Sequence, residues 1–191
     1  MTISVVTRNE HKFNEIAAIL SDLGEINQVS LSCPEIQDDD IGVISLEKAM
    51  YAYSILKKPL ITDDTGLFIP FLRGFPGPYA AFVEETIGNP GILRLLEGAR
   101  DVDRVALFET AIAYADESGV TVFRGRIEGM IAYEPRGTNG FGYDPIFEVD
   151  GMTLAEMSAE QKNSLSHRAR GVMQFHDWFV TSKMDTQLLN K

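Results

Sequence analysis

The first third of the chain alternates short apolar runs with longer segments of helical periodicity. The short runs are rich in β-branched residues, which is typical of buried strands, and they cover residues 3–7 (ISVVT), 26–31 (INQVSL) and 60–63 (LITD). A strand–helix–strand–helix–strand order predicts an α/β fold, because a central sheet of this kind buries its strands beneath helices.

Two helices are predicted between these strands. The first follows RNEHK, and Gly24 lies where a C-cap glycine is expected. Its apolar residues at helical spacing are Phe13, Ile16, Ala17, Leu20 and Leu23. We expect Ser45 to cap the second helix, which runs through LEKAMYAYSILKK.

The rest of the chain predicts an antiparallel addition to this sheet. A strand and an irregular loop are expected over 66–79, two short helices over 80–98, and two long strands over 104–135 that turn at DESG. The segments TLAE and SAEQ are both capping boxes and predict helices, the last of which ends near FHDWFVTS. The final residues, TQLLNK, are expected to fray.

Composition limits the classes of partner. A chain of 191 residues can form one domain with a substantial core. Its net charge of −11 disfavours long nucleic acid but not a small anion such as a nucleotide. Cys33 is the single cysteine, which fits a reducing compartment and a buried apolar role. With no recognisable signal peptide or membrane span, we expect a cytoplasmic protein.

The first candidate site is TRNEHK, at the predicted junction between a strand and a helix. Backbone N–H groups at a helix N-terminus attract anions, and Thr7, Asn9 and Lys12 add hydrogen bonds and charge. The alternative is that Asn9 only caps the helix and Lys12 is solvated. This stretch alone favours the alternative, since it lacks the glycines of a phosphate-binding loop.

The second candidate is ITDDTG, in which an apolar strand is predicted to end in two carboxylates. Adjacent carboxylates favour a hard divalent cation such as Mg²⁺, and Glu35 could supply a further oxygen. The competing interpretation is an Asp-rich turn. The neighbouring QDDD, residues 37–40, is interpreted as a solvated charge run.

The third candidate combines the glycine-rich segment GTNGFGYDPIF, residues 137–147, with the segment that follows it. An exposed aromatic ring can stack on a base, and a carboxylate and cations can read the base edge. The residues are Phe141, Tyr143, Asp144, Lys162, His167 and Arg168. Alternatively, Phe141 belongs to the core and SHR only begins a helix. No spacing of His and Cys predicts zinc, and no nucleophile elbow supports a Ser/His hydrolase.

The spacing of the basic residues predicts a break in the last helical segment. On a continuous helix, with about 100° per residue, Lys162, His167 and Arg168 would point in three directions. We therefore expect a break between Asn163 and Ser166, with Ser166 capping the final helix.

Taken in order, these motifs resemble the inosine triphosphate pyrophosphatase family, the XTP/dITP diphosphatases. The matching blocks are TRNEHK, PEIQ, DDTGLFI, GFPGPYAAFV, GTNGFGYDPIF and EQKNSLSHR, which extend over nearly the whole chain. The resemblance implies an elongated mixed sheet flanked by helices, two lobes with a cleft between them in a single domain of residues 1–191, and a homodimer. It also implies Mg²⁺-dependent hydrolysis of ITP, dITP and XTP to monophosphate and pyrophosphate.

The same resemblance implies a role for each motif residue. The triphosphate would be held by Lys48 and by the first motif, which comprises Thr7, Arg8, Asn9, Glu10, His11 and Lys12. Glu35 and Asp64 would hold Mg²⁺, Asp64 would also activate water, and Thr65 would contact the nucleotide. Phe141 would stack on the base, and the other base-pocket residues would be Gly142, Tyr143, Asp144, Lys162, His167 and Arg168. Arg8 departs from the Gly or Ser that is common in the family.

Three rival functions remain open at this point: a nucleotide-sensing module without turnover, a pyrophosphatase of the related Maf type, and a protein-interaction module. An acidic residue at Asp64, together with FGYD and SHR, argues against the first two.

Overall fold

A computed structural model describes the backbone of residues 2–189 and the side chains of residues 2–182. Its strands are β1 (Thr2–Val6), β2 (Glu25–Val29), β3 (Leu60–Phe68), β4 (Pro76–Gly77), β5 (Val105–Asp116), β6 (Gly119–Ile131), β7 (Phe147–Val149) and β8 (Met152–Thr153). Its α-helices are α1 (Glu10–Ile19), α2 (Ile41–Leu56), α3 (Ala80–Thr86), α4 (Gly88–Leu95), α5 (Ala159–Leu165) and α6 (His167–Leu189).

The strands form one mixed sheet in the order β2-β1-β3-β5-β6-β7-β8, with β4 paired to the end of β3. β1 is parallel to both of its neighbours, whereas β3, β5, β6 and β7 pair in antiparallel fashion. The predicted α/β fold, with a mixed central sheet flanked by helices, is confirmed. Its division into two lobes stays a prediction.

The parallel part of the sheet ends in the middle of β3. The last residue of β1, Val6, is opposite Thr62, and β3 continues to Phe68 along β5. The prediction that this strand ends at Asp63 was wrong, because β5 offers a full-length antiparallel partner. Asp63 and Asp64 therefore lie inside a strand, just beyond the carboxyl end of β1.

Helices cover both faces of the sheet. α6 packs on β5 and β6 and meets α1, and α2 packs on β3 and β5. The resulting apolar core is continued at the far end of the sheet by α3 and α4, where Ile92 and Leu96 are fully buried. Among the described residues, no helix is long and apolar enough to cross a membrane.

Two helix boundaries differ from the predictions. α1 ends at Ile19 with Leu20 as its C-cap, so Gly24 does not terminate the helix. α2 begins after Asp40, whose carboxylate accepts from the N–H of Gly42. Ser45 is buried within this helix, and its hydroxyl donates to the carbonyl of Ala111. Its predicted role as a cap was wrong because Asp40 provides an earlier one.

Asp40 also departs from the prediction that QDDD is only solvated. Its carboxylate pairs with Arg124 on β6 in addition to capping α2. The interaction ties the start of α2 to the sheet.

The two predicted capping boxes differ in outcome. Ser158 forms a complete box with Gln161 and begins α5. At TLAE only half of the box forms: Glu156 accepts from the N–H of Thr153, but the hydroxyl of Thr153 donates to the carbonyl of Arg136, and a turn follows instead of a helix. TQLLNK was predicted to fray: its backbone is helical through Leu189, while its side chains and residues 190–191 lie outside the described residues.

The predicted break before the last helix is confirmed. Ser166 has extended backbone angles (φ −64°, ψ 161°) between α5 and α6. Its hydroxyl accepts from the N–H of Ala169 at 3.2 Å, as an N-cap does. Lys162 thus lies on α5, and His167 and Arg168 lie on the first turn of α6.

Candidate functional site

The site is built where β1 ends and α1 begins. Asn9 caps α1 by accepting from the N–H of Lys12, and the hydroxyl of Thr7 accepts from the N–H of Asn9. Both interactions shape the loop so that the N-terminus of α1 faces the middle of β3. Arg8 and Glu10 are exposed. The cap that Asn9 was predicted to form is confirmed, but Lys12 is not merely solvated, because its ammonium contacts Asp63.

Asp63 and Asp64 serve opposite faces of the sheet, since successive side chains of a strand alternate. Asp63 accepts from Lys12 Nζ at 2.6 Å and from Arg168 Nε at 2.8 Å. Asp64 accepts from Lys48, which reaches it from α2. Each of the two adjacent carboxylates therefore has its own basic partners, on its own face of the sheet.

Asp63 is the most strongly held carboxylate of the site. Its side chain is fully buried, which disfavours ionisation, but Arg168 and Lys12 outweigh burial and hold its pKa far below the usual range. Thr110 also donates to it at 3.1 Å. The sequence analysis did not select Asp63, although the alternation of a strand would have distinguished it from Asp64.

A chain of ion pairs extends from Asp63 to the glycine-rich segment. Arg168 Nη1 donates to Glu15 at 2.5 Å, and Lys162 Nζ lies 2.7 Å from Glu15 and 2.6 Å from Asp144. Burial disfavours ionisation of Glu15, but Arg168 and Lys162 outweigh it and lower its pKa. Glu15 was missed in the sequence, where its position one turn after Lys12 on α1 is the available signal.

All three side-chain nitrogens of Arg168 donate hydrogen bonds to protein groups. Besides Asp63 and Glu15, Arg168 donates from Nη2 to the hydroxyl of Thr65 at 3.0 Å. Only 2% of the arginine is exposed. These donors were predicted from the sequence to face a base, whereas two of the three donate to carboxylates.

The glycines of GTNGFGYDPIF allow a tight loop around Asp144. Gly140 has φ +73°, and a Cβ at this position would lie 2.0 Å from Asp144 Oδ2. That oxygen accepts from the N–H of Phe141 at 2.8 Å and from Lys162. Burial raises the pKa of Asp144, with Lys162 acting in the opposite direction. The loop thus presents Phe141 beside a fixed carboxylate.

Phe141 lies between the aromatic ring of His11 and the cationic groups of Lys162 and Arg168. Its ring stacks on His11 with 5.1 Å between centroids and an angle of 16°. The ammonium of Lys162 lies 4.8 Å from the ring centroid, and Arg168 Cζ lies 5.6 Å from it. The alternative in which Phe141 belongs to the core is not supported, because the ring is only partly buried.

His167 is buried without hydrogen-bond partners. Its ring stacks on Phe108 at 4.4 Å and 10°, and neither ring nitrogen has a partner within the protein. Burial, reinforced by the charge of Arg168, lowers the pKa of His167 well below its usual value. The imidazole is therefore neutral, with one N–H donor and one acceptor free. Such groups are rare in protein interiors and indicate a missing partner.

These side chains line one cleft. The cleft is lined by Asn9, Lys12, Thr65, Ala80, Ala81, Glu84, Phe108, Phe141, Gly142, Tyr143, Asp144, Lys162, His167 and Arg168. Tyr143 contributes its ring only, because its hydroxyl donates to the carbonyl of Ala80 at 2.8 Å. An adjoining cavity on the other side of β3 includes Glu35, Asp64 and Thr65.

Glu35, Lys48 and Asp64 form a separate charged group. Lys48 Nζ lies 2.7 Å from Glu35 and also contacts Asp64 Oδ1. Burial disfavours the charged form of Lys48, but the two carboxylates outweigh it and raise its pKa. Burial raises the pKa of Asp64 despite Lys48 and Lys12. The second carboxylate oxygen of Asp64, Oδ2, is buried without a hydrogen-bond partner.

This donor set fits a hard divalent cation. Carboxylate oxygens are suitable ligands, and the unpartnered Oδ2 of Asp64 is available. Within the residues that the structure describes, no group of three or more His, Cys, Asp or Glu side chains could hold a metal. A cation bound here would therefore complete its coordination with phosphate or water, as Mg²⁺ commonly does.

Comparisons with known proteins agree with the fold and with the motifs. A family model described as the Ham1 family matches residues 3–178. A dITP/XTP pyrophosphatase of Methanosarcina mazei is 48% identical over 93% of this chain and 97% of its own. One of Saccharolobus solfataricus is 46% identical over 92% of each chain.

Solved structures give the same result. A HAM1 protein from Coxiella burnetii superposes with a TM-score of 0.81 and 32% identity, over 95% of this chain and 99% of that one. The Ham1 protein of Staphylococcus aureus gives a TM-score of 0.80 and 29% identity, over 95% of this chain and 100% of that one. The resemblance read from the motifs is thus confirmed by sequence and by fold, and the chain belongs to the Ham1 family.

Proposed function

We propose that this chain hydrolyses non-standard purine nucleoside triphosphates, ITP, dITP and XTP, to the monophosphate and pyrophosphate. The observation that carries the proposal is a single cleft lined both by a partly buried aromatic ring, Phe141, and by His167, a buried imidazole whose two nitrogens have no partner within the protein. Relatives that match nearly the whole chain are named dITP/XTP pyrophosphatases.

The base would stack on Phe141 and meet polar groups at its edge. Hypoxanthine and xanthine carry a 6-oxo acceptor where adenine carries a 6-amino donor. A neutral His167 can offer an N–H to the oxo group, and Lys162 and Asp144 lie on the same wall. A wrong base leaves buried groups unpaired, which can cost up to roughly 10⁴-fold in kcat/KM.

The triphosphate would lie toward the N-terminus of α1. Its backbone N–H groups, the side chain of Asn9 and the ammonium of Lys12 supply donors there. Lys48 lies across β3 beside Asp64 and would join them. His11 and Arg8 flank the entrance from the exposed start of α1.

We assign the cation to Glu35 and Asp64, and we propose Mg²⁺. When bound, the ion would neutralise phosphate charge, which is a principal requirement of phosphoryl transfer. Asp64 would orient the attacking water and take its proton.

Two further properties belong to the proposal. A homodimer would bury some of the exposed large apolar side chains, among which Phe71 is 52% and Phe82 is 66% exposed. A single, partly buried cysteine is compatible with a reducing, cytoplasmic location.

The test is product analysis with dITP and Mg²⁺, comparing the wild-type protein with Asp64→Asn. The wild type should release pyrophosphate and dIMP, and Asp64→Asn should fold normally but lose roughly 10²–10⁴ in kcat. Asp39→Asn, an exposed carboxylate of the neighbouring loop, is the matched control and should retain full activity. Release of orthophosphate instead of pyrophosphate would contradict the proposed reaction. A near-normal kcat in Asp64→Asn would exclude Asp64 as the catalytic base.

A further inference from the structure

Lys48 occupies the space in which the two proposed cation ligands converge. Its ammonium contacts Asp64 Oδ1 and lies 2.7 Å from Glu35 Oε1. The lysine projects from α2, Asp64 from β3, and Glu35 from the loop before α2. One ammonium group on α2 therefore bridges two carboxylates from two other segments.

An ammonium and a divalent cation require the same carboxylate oxygens. Of the two oxygens of Asp64, Oδ1 is used by Lys48 and Oδ2 is buried and unpartnered. A cation that binds through both Asp64 and Glu35 must therefore displace Lys48 or lie against its positive charge. At contact distances inside a protein, such repulsion is strong.

We propose that Lys48 is an exchangeable counter-ion that excludes divalent cations from Glu35 and Asp64 until a triphosphate draws its ammonium away. This inference rests on the proposed function, because it takes the triphosphate as the group that recruits Lys48. In the nucleotide-free protein the lysine holds the two carboxylates together and offsets one of their two negative charges. Phosphate oxygens then compete for the ammonium and leave the carboxylates free for the cation.

Cation binding and triphosphate binding are coupled as a result. Whatever weakens the Lys48 contacts with the carboxylates strengthens cation binding, and by thermodynamic reciprocity a bound cation releases Lys48 for the phosphates. The neighbouring Lys12 does not bridge these carboxylates, because its ammonium pairs with Asp63, although its charge also acts on Glu35 and Asp64.

The inference is tested by Mn²⁺ binding to the nucleotide-free protein, with free Mn²⁺ measured by electron paramagnetic resonance. Lys48→Met keeps the aliphatic stem and removes the charge. Its dissociation constant for Mn²⁺ should be at least about tenfold lower than that of the wild type, equivalent to about 1.4 kcal/mol. Lys58→Met, at an exposed lysine just after α2, is the matched control and should bind Mn²⁺ as the wild type does. Adding Asp64→Asn to Lys48→Met should abolish the gain.

Equal or weaker Mn²⁺ binding by Lys48→Met would overturn the inference, as would an equal gain in Lys58→Met. Circular dichroism verifies folding, and Lys48→Gln replaces Lys48→Met if the latter does not fold. The proposed function and the exchange of Lys48 are distinguished by separate outcomes. If the wild type releases pyrophosphate from dITP and Lys48→Met gains no affinity, only the exchange is wrong. If affinity rises while the wild type does not hydrolyse dITP, only the proposed reaction is wrong.

Discussion

Replacing Arg168 with alanine should destabilise the protein strongly as well as alter its cleft. The guanidinium is 2% exposed and donates to Asp63, Glu15 and Thr65. Its removal leaves Asp63, whose side chain is fully buried, with Lys12 as its remaining basic partner. Breaking a buried ion pair on one side costs about 3–5 kcal/mol. For a chain of this size, that loss corresponds to a fall in Tm of roughly 6–20 °C.

Urea denaturation at pH 7 measures this cost. Arg170→Ala is a matched control on the same helix, because Arg170 is exposed and donates only to backbone carbonyls of Leu165 and Arg126. It should lose less than about 1 kcal/mol. The double variant Arg168→Ala/Asp63→Asn should be less destabilised than the sum of the two single variants, because both members of the pair are then uncharged.

The pH dependence of the free energy of unfolding tests independently whether the ionised pair stabilises the folded state. The pKa of Asp63 is depressed in the folded state, mainly because Arg168 and Lys12 outweigh burial. The ionised pair therefore stabilises the protein above the unfolded-state pKa, about 3.9, and this contribution is lost as pH falls below it. The gap between wild type and Arg168→Ala should be largest near neutral pH and shrink in acid. Additive double-variant energies, or a loss no greater than that of Arg170→Ala, would refute the reasoning.

Three other perturbations are expected to have defined outcomes. Phe141→Ala should raise KM for ITP by the equivalent of about 1–3 kcal/mol of stacking; unchanged KM with a large fall in Tm would assign the ring to the core. Gly140→Ala should destabilise the protein and raise KM, because a Cβ there would lie 2.0 Å from the carboxylate of Asp144. Gly142→Ala has φ +62° but open space around it, and should lose only about 1 kcal/mol of stability from the backbone conformation. Equal losses of the two variants in urea denaturation would show that the clash does not cause the destabilisation. His176→Gln should lose stability in acid but not at alkaline pH, because the hydrogen bond to Asp22 raises the pKa of His176, and a raised pKa stabilises below the unfolded value, about 6.5, and is lost as pH rises through the folded value; a pH-independent difference in Tm would contradict this sign.

The order of strands and helices could be predicted because local patterns determine it. The β-branched runs of β1 and β3 and the long hairpin of β5 and β6 are visible in the sequence and occur as predicted. Boundaries were less accessible where a distant partner decides them. β3 continues past Asp63 because β5 pairs with it over its full length. A turn, not a helix, follows Thr153, whose hydroxyl donates to the distant carbonyl of Arg136.

The candidate site was predictable where spacing alone restricts geometry. On one continuous helix, Lys162, His167 and Arg168 could not face the same site. The break that this spacing predicts is present at Ser166. Partners from distant segments were not accessible in the same way. The pairing of Glu15 with Arg168 joins residues 153 positions apart, and the bridge from Lys48 to Glu35 and Asp64 depends on how α2 packs on β3.

The central claim is that the cleft selects 6-oxo purine triphosphates over adenine nucleotides, and the ratio of kcat/KM values tests it most directly. Pyrophosphate release should be measured for dITP, XTP and dATP under identical Mg²⁺ and salt conditions. The account predicts that dITP and XTP exceed dATP by at least about 10²-fold, since adenine leaves buried polar groups unpaired. Equal kcat/KM values for dITP and dATP would contradict it.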